Sequence, residues 1–292
     1  MKILVTGSKG FIGSRSIKAI SKEHEVKGVD AIDGFDLADY SVVCSLFSEF
    51  KPDFVIHTAA NGDIQFCEQN KDIAVRNNII ATRNIASNCA KYNAGIIFCS
   101  TDHVYRYNEL PQSLHEYNEI KGASFYGVTK AACEQEIRSL VCKHFITRLC
   151  WQYGIYETGL PRREPRFGIV ERAAKSLKDN TPITVVRGSR QHTTYIYDTI
   201  DVFVQMLNGA FPYGIYNVAS ENDYTVKGLY TYILEKMGAD KKKISELIVE
   251  VDGTPNILTA MPFFLKCVGY NMPTFEDGFR RYMRELHPTA VY

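Results

Sequence analysis

The stretch Lys2-Ile3-Leu4-Val5-Thr6-Gly7-Ser8-Lys9-Gly10-Phe11-Ile12-Gly13 decides how the rest of the chain is read. Lys2 to Thr6 is an apolar run of strand length, and a helical pattern follows from Ile12 to Ser21. Three glycines therefore sit at a strand-to-helix junction. There Gly7 allows a tight turn, Gly10 lets backbone approach a pyrophosphate, and Gly13 lets the helix pack on the strand. The N–H groups at the helix start, at Phe11, Ile12 and Gly13, then face the phosphates. Glycines alone also make ordinary solvated turns. The second apolar run ends at Asp30, 17 residues after Gly13, close to the roughly 20 expected for an acidic residue on the adenosine ribose. A carboxylate there accepts from the ribose hydroxyls and repels a 2′-phosphate, which favours NAD. Lys9, inside the loop, speaks for NADP, because an ammonium can meet that phosphate.

Outward from this loop, short apolar runs alternate with helical patterns. Strands are expected at 25–30, 54–58, 96–100 and 145–149, with helices at 41–50, 72–92 and 125–142. Such alternation implies right-handed βαβ units and an α/β fold, a doubly wound parallel sheet. After Trp151 the pattern changes. Residues 154–166 read as a loop rich in Gly, Pro and Arg, and 167–178 as a helix. A short strand follows at 183–186, a helix at 195–207, a strand at 214–219, a helix at 226–237 and a mixture of short elements beyond 243. This assigns 1–154 and 196–219 to a dinucleotide-binding domain, and 155–195 with 220–292 to a smaller lobe covering the carboxyl ends of the strands, where ligands of such sheets bind.

The bulk numbers suit this. The chain has 292 residues, 45% hydrophobic and 23% charged, and a net charge of +1 from 34 basic and 33 acidic residues. Such a balance offers no electrostatic grip on nucleic acid or an anionic membrane and makes a small ligand the default partner. The eight cysteines form no CxxC or Cys/His metal pattern, and most lie in apolar runs. They read as reduced thiols of a cytoplasmic protein. The N-terminal apolar run is too short for a signal peptide, and no stretch approaches the ~20 apolar residues needed to span a bilayer.

Two further motifs carry chemistry. Tyr126 and Lys130, four apart at the start of a helix, share one face, about 6 Å apart along the axis. A phenol with its ordinary pKa of about 10 exchanges protons poorly at neutral pH, and a neighbouring ammonium lowers that value. A Tyr/Lys pair at this spacing is also a common surface feature. Ser100-Thr101-Asp102-His103-Val104-Tyr105 follows the apolar run ending at Cys99. It reads either as a self-satisfying turn or as part of a site.

The ordered set TGSKGFIG, Asp36-Leu37, KPDFVIHTAA (51–60), NNIIATRNIA (77–86), STDHVY, YGVTKAACE and RLCWQYG (148–154) resembles the extended short-chain dehydrogenases/reductases, and within them the dTDP-4-dehydrorhamnose reductase group. The resemblance runs evenly to about residue 219. It implies a Rossmann-type fold, a nicotinamide cofactor (NAD, with NADP the alternative), a nucleotide-sugar substrate and, by analogy, a homodimer. Tyr126 resembles the proton donor, Lys130 its partner and a ribose ligand, and Thr101 the hydroxyl on the substrate oxygen. Asn78 matches a structural helix asparagine. Asp36 and Leu37 match the adenine-contacting pair after a third strand, and Ala59 and Ala60 the cofactor-lining pair after the fourth. Asp102, His103, Trp151 and Arg190 fall where substrate is bound.

The sequence departs from the group at His103, which replaces an aromatic. Related dehydratases carry a proton-abstracting glutamate there. A histidine can titrate near neutrality, or simply fill space. Residues 252–258 retain only a hint of the group's Arg-Pro segment. Arg187 and Arg190 read as diphosphate ligands or as solvated charges. An epimerase or dehydratase with tightly held NAD, and a non-catalytic dinucleotide-binding subunit, are the competing readings.

Overall fold

The computed structural model describes residues 1–105, 114–122, 124–155 and 168–287. Of the expected loop over 154–166 and helix over 167–178, positions 156–167 lie outside the described residues. The strands are β1 (Lys2–Thr6), β2 (Glu25–Val29), β3 (Phe54–His57), β4 (Gly95–Thr101), β5 (His144–Leu149), β6 (Trp151–Tyr153), β7 (Ile183–Val186), β8 (Arg190–Gln191), β9 (Thr193–Tyr195), β10 (Gly214–Val218), β11 (Ile248–Val251) and β12 (Ile257–Leu258). The helices are α1 (Phe11–Ile20), α2 (Tyr40–Phe50), α3 (Ile64–Gln69), α4 (Lys71–Ala74), α5 (Ala81–Tyr92), α6 (Phe125–Leu140), α7 (Ile169–Asp179), α8 (Ile196–Leu207), α9 (Val226–Lys236), α10 (Lys241–Leu247), α11 (Phe263–Cys267) and α12 (Phe275–Leu286).

Six strands form one sheet in the order β10-β5-β4-β3-β1-β2, every neighbouring pair parallel. β3 and β4 are buried along their whole length, as expected of parallel strands covered on both faces. Side chains alternate across the sheet. Ile3 and Val5 of β1 join the apolar cluster that holds Ile20 of α1 and Phe203 of α8. Leu4 joins the cluster with Phe47 of α2, Ile85 of α5 and Ile137 of α6. The chain moves one way from β1 to β2 and the other way from β1 to β3. The carboxyl ends of β1 and β3 are therefore the switch point where such sheets open a crevice.

Residues 183–191 and 248–258 pair with each other, β7 with β11 and β8 with β12, while β10 returns to the main sheet beside β5. The tail ends in α12, whose buried face carries Phe275, Phe279, Tyr282 and Met283, the spacing of a one-sided helix. These four belong to the same continuous cluster as Ile3 and Val5. Among the described residues no helix is long and apolar enough to cross a membrane.

Two expectations need correction. No third strand lies between β2 and Asp36-Leu37: Asp30 caps a single 3-10 turn at Ala31–Asp33, Gly34 takes φ 86°, and Asp39 already caps α2. The few residues left between are too short to pair. The helix expected over 72–92 is interrupted by a π-helical stretch, Val75–Ile80, between α4 and α5. Such widened turns recur at functional sites, and this one contains Asn78.

Candidate active site

Gly7 takes φ +66°, and a Cβ there would stand 2.8 Å from the Ala59 nitrogen. A Cβ on Gly13 would lie 2.2 Å from the Gly7 carbonyl oxygen, an impossible contact, whereas one on Gly10 would meet only that oxygen, at 3.0 Å. Gly10 is the N-cap of α1, and no side chain caps the first turn. The result is a bare backbone cradle at a helix start, on the sheet's switch point, which fits a pyrophosphate. The Asp30 carboxylate accepts from the Lys9 N–H at 3.0 Å and the Ile32 N–H at 3.2 Å, so it is fixed to the loop. The Lys9 ammonium is paired with Asp33. Asp36 is paired with Arg76, whose hydrogen bond holds its carboxyl below the usual range. Leu37 is buried, and its carbonyl accepts from Asn84 Nδ2 at 3.0 Å. Ala59 is half-buried and Ala60 exposed, on the run after β3.

Beneath this cradle lies His57, fully buried, with Nδ1 2.7 Å from Thr6 Oγ1 and Nε2 2.9 Å from Thr82 Oγ1. Burial, helped by the charge of Lys130, pushes its pKa down to about 3. The unfolded chain takes up this proton near pH 6.5 and the folded chain does not. The associated stability is therefore complete above about pH 6.5 and is lost as pH falls toward 3. Between pH 8 and pH 5 the unfolding free energy in urea is expected to fall by about 2 kcal/mol from this group. His57→Gln should lose that share of the slope, and identical slopes in the two proteins would refute the assignment.

The second half of the site is where β4 meets α6. The Thr101 hydroxyl donates to Asp102 Oδ1 at 3.2 Å, accepts from the His103 N–H at 3.2 Å, and acts on the Tyr126 phenol, opposing the rise of its pKa. Two contacts fix the start of α6. Ser124 caps the helix by accepting from the Gly127 N–H at 3.2 Å, and the Phe125 N–H donates to Glu68 Oε1 of α3 at 2.6 Å. A Cβ on Gly127 would lie 2.1 Å from the His103 carbonyl oxygen, so the missing side chain lets the helix rest on the turn. The His103 ring stands edge-on to Tyr126, centroids 6.2 Å apart. Lys130 is buried with its ammonium 4.0 Å from the centre of the Phe98 ring, and burial lowers its pKa. Tyr126 departs from the sequence expectation. Desolvation of its phenol and the nearby Asp102 carboxylate raise its pKa, and the lowering expected from Lys130 is not what this geometry produces. Asn78 bridges the parts: its Oδ1 accepts from the Asn61 N–H at 2.7 Å and its Nδ2 donates to Thr129 Oγ1 of α6 at 3.0 Å.

Asp102 is buried, and its Oδ2 accepts from Gln191 Nε2 at 2.7 Å. Gln191 was not singled out by sequence. Its neighbour Arg190, which was, lies on the opposite face of β8, exposed and donating to the Asp223 carbonyl at 2.9 Å. Arg187 pairs with Asp252 and Glu250 at the surface. Trp151 is half-buried on β6 against the main apolar cluster. Sequence reading also missed a buried network. Glu134 accepts from Ser100 Oγ at 2.5 Å and from Arg148 Nη2 at 2.8 Å. Arg148 Nη1 donates to the Tyr105 hydroxyl and the Glu116 carbonyl, both at 2.9 Å. The Tyr105 hydroxyl donates to Asn217 Oδ1 of β10 at 2.7 Å. A sign was available: Glu134 continues the Tyr126/Lys130 spacing by another turn, and Arg148 is a charge inside an apolar strand.

Comparison with known proteins agrees with this frame. SpsK, a spore coat polysaccharide biosynthesis protein of Bacillus subtilis (strain 168), is 25% identical over 245 residues, which is 84% of this chain and 82% of that protein. A dTDP-4-dehydrorhamnose reductase of Aggregatibacter actinomycetemcomitans is 25% identical over 227 residues, 75% and 74% of the two chains. The crystal structure of dTDP-4-dehydrorhamnose reductase from Bacillus anthracis in complex with NADP superposes with TM-score 0.85 at 24% identity, covering 97% of this chain and 98% of that one. The Thermus thermophilus UDP-glucose 4-epimerase complex with NAD gives 0.81 at 23% identity, covering both chains completely. At such identities these two structures speak for the shared fold. Residues 1–254 match the family described as the RmlD substrate binding domain, and on that match the chain belongs to this family.

Proposed function

We propose that this chain is a nicotinamide-dinucleotide-dependent reductase of a 4-keto-6-deoxy nucleotide sugar, of the kind named dTDP-4-dehydrorhamnose reductase among its relatives. The observation carrying the reading is the meeting of Thr101 and Tyr126 at the carboxyl end of β4, on the same sheet edge as the glycine cradle. The backbone of Gly7, Gly10, Phe11, Ile12 and Gly13 holds the pyrophosphate. Asp30 faces the adenosine ribose, Asp36 and Leu37 border the adenine, and Ala59 and Ala60 line the cofactor's path. When bound, the dinucleotide supplies the hydride. The Thr101 hydroxyl turns its one hydrogen from Asp102 to the substrate carbonyl oxygen, and the oxygen's growing negative charge strengthens that bond. Tyr126, whose raised pKa keeps the phenol protonated at neutral pH, gives its proton to the nascent alkoxide. Lys130 holds the cofactor ribose and helps return a proton to Tyr126. Residues 155–195 and 220–292 supply the lobe over the sugar. Asp102, His103 and Trp151 face it, and Gln191 takes the place first given to Arg190.

Incubation with NADH or NADPH and dTDP-4-dehydrorhamnose tests the reading. The expected result is loss of reduced nicotinamide in step with formation of the 4-hydroxy sugar. Protein that is purified with NAD already bound, and that interconverts 4-epimers with no net consumption of NADH, would establish the epimerase reading instead.

A further inference from the structure

The Lys9–Asp33 pair has a consequence for which dinucleotide the cradle accepts. Lys9 is the single cation of the loop between Gly7 and Gly13, and its ammonium is engaged by the Asp33 carboxylate. Its backbone N–H is also committed, to Asp30 Oδ2 at 3.0 Å. Asp33 is held by the backbone of a closed turn. Its N–H donates to the Asp30 carbonyl at 3.0 Å, the Gly34 N–H to the Ala31 carbonyl at 3.0 Å, and the Phe35 N–H returns to the Asp30 carbonyl at 3.3 Å. Gly34, at φ 86°, permits the reversal that keeps the turn shut. Arg76, the cation joined to the next part of this loop, is likewise paired, with Asp36. The end of β2 therefore presents Asp30 and Asp33 against one lysine, and that lysine is spoken for.

We infer that Asp33 is a specificity-determining residue: by holding Lys9 it turns the nucleotide site against a 2′-phosphate and selects NAD(H) over NADP(H). The inference rests on the glycine loop being a dinucleotide site. A 2′-phosphate carries close to two negative charges. In water a unit charge several ångströms from another changes affinity by a factor of about three, so one released ammonium near this phosphate is worth up to about tenfold. Screening makes the effect smaller as salt rises. With Asp33 neutral, the flexible Lys9 side chain is released and its charge is available to the phosphate.

Fluorescence titration with NADH and NADPH, in the absence of any sugar, tests this on the intact chain. Wild-type protein should bind NADH about tenfold or more tightly than NADPH. Asp33→Asn should tighten NADPH by roughly tenfold and leave NADH within about twofold, which also shows that the variant is folded. Adding Lys9→Met to Asp33→Asn should remove most of the NADPH gain. A wild-type preference for NADPH, or an Asp33→Asn protein that binds NADH normally with unchanged NADPH affinity, overturns the role of Asp33. Wild-type protein that binds neither dinucleotide overturns the reading of the cradle itself, and the inference with it.

Discussion

Tyr126→Phe is expected to cut turnover by between about a hundredfold and ten-thousandfold, the usual worth of a positioned proton donor, and to leave NADH affinity within about threefold. The variant removes one oxygen and little else. The ring that meets His103 edge-on remains, and α6 keeps its Ser124 cap and its rest on the His103 carbonyl through Gly127. What disappears is the phenol beside Thr101. Its loss should appear almost entirely in kcat, because the proton moves only in the transition state. Steady-state kinetics with the keto sugar, alongside a dinucleotide titration, measures both halves. Turnover equal to wild type would remove Tyr126 from the chemistry.

The second large effect is on stability. Glu134→Leu leaves the Arg148 guanidinium, whose side chain is 2% exposed, without its carboxylate, and Glu134 itself is 0% exposed. Stranding a buried charge in this way costs about 3–5 kcal/mol, whereas replacing both members of a buried pair by apolar residues is often close to neutral. Glu134→Leu with Arg148→Met should therefore be more stable than Glu134→Leu alone, though it still loses the bonds to Ser100, the Tyr105 hydroxyl and the Glu116 carbonyl. Urea unfolding of the three proteins gives the comparison. A Glu134→Leu protein within about 1 kcal/mol of wild type would mean that Arg148 finds another partner or water.

What was legible in the sequence was local. The glycine cradle, Asp30 and the Tyr126/Lys130 pair are fixed by spacing within one turn, strand or helix, and the structure sets them at one edge of the sheet. The parallel sheet itself followed from alternating patterns. What escaped depends on contacts between distant segments. Nothing near Gln191 announces that it, and not Arg190, turns toward Asp102; two-residue β8 gives no periodicity to read. The Glu134–Arg148 pair joins a helix to a strand, and Asn217 reaches it from 112 residues beyond Tyr105. The direction of the Tyr126 shift was missed for the same reason. The lysine one turn away was visible, but the burial of the phenol and the nearby Asp102 carboxylate, from the turn after β4, arise only in the folded chain.

The return of β10 to the sheet matters to anyone who wishes to recombine this protein with a relative. Because residues 183–191 pair with 248–258 while the strand between them belongs to the main sheet, the two paired segments cannot be exchanged as one cassette. Exchanging 155–195 and 220–292 takes three crossover points, and it parts α12 from Ile3 and Val5, which share its apolar seam. Single-junction hybrids should accumulate as insoluble protein, while three-junction hybrids whose α12 apolar face is matched to the other parent's seam should remain soluble.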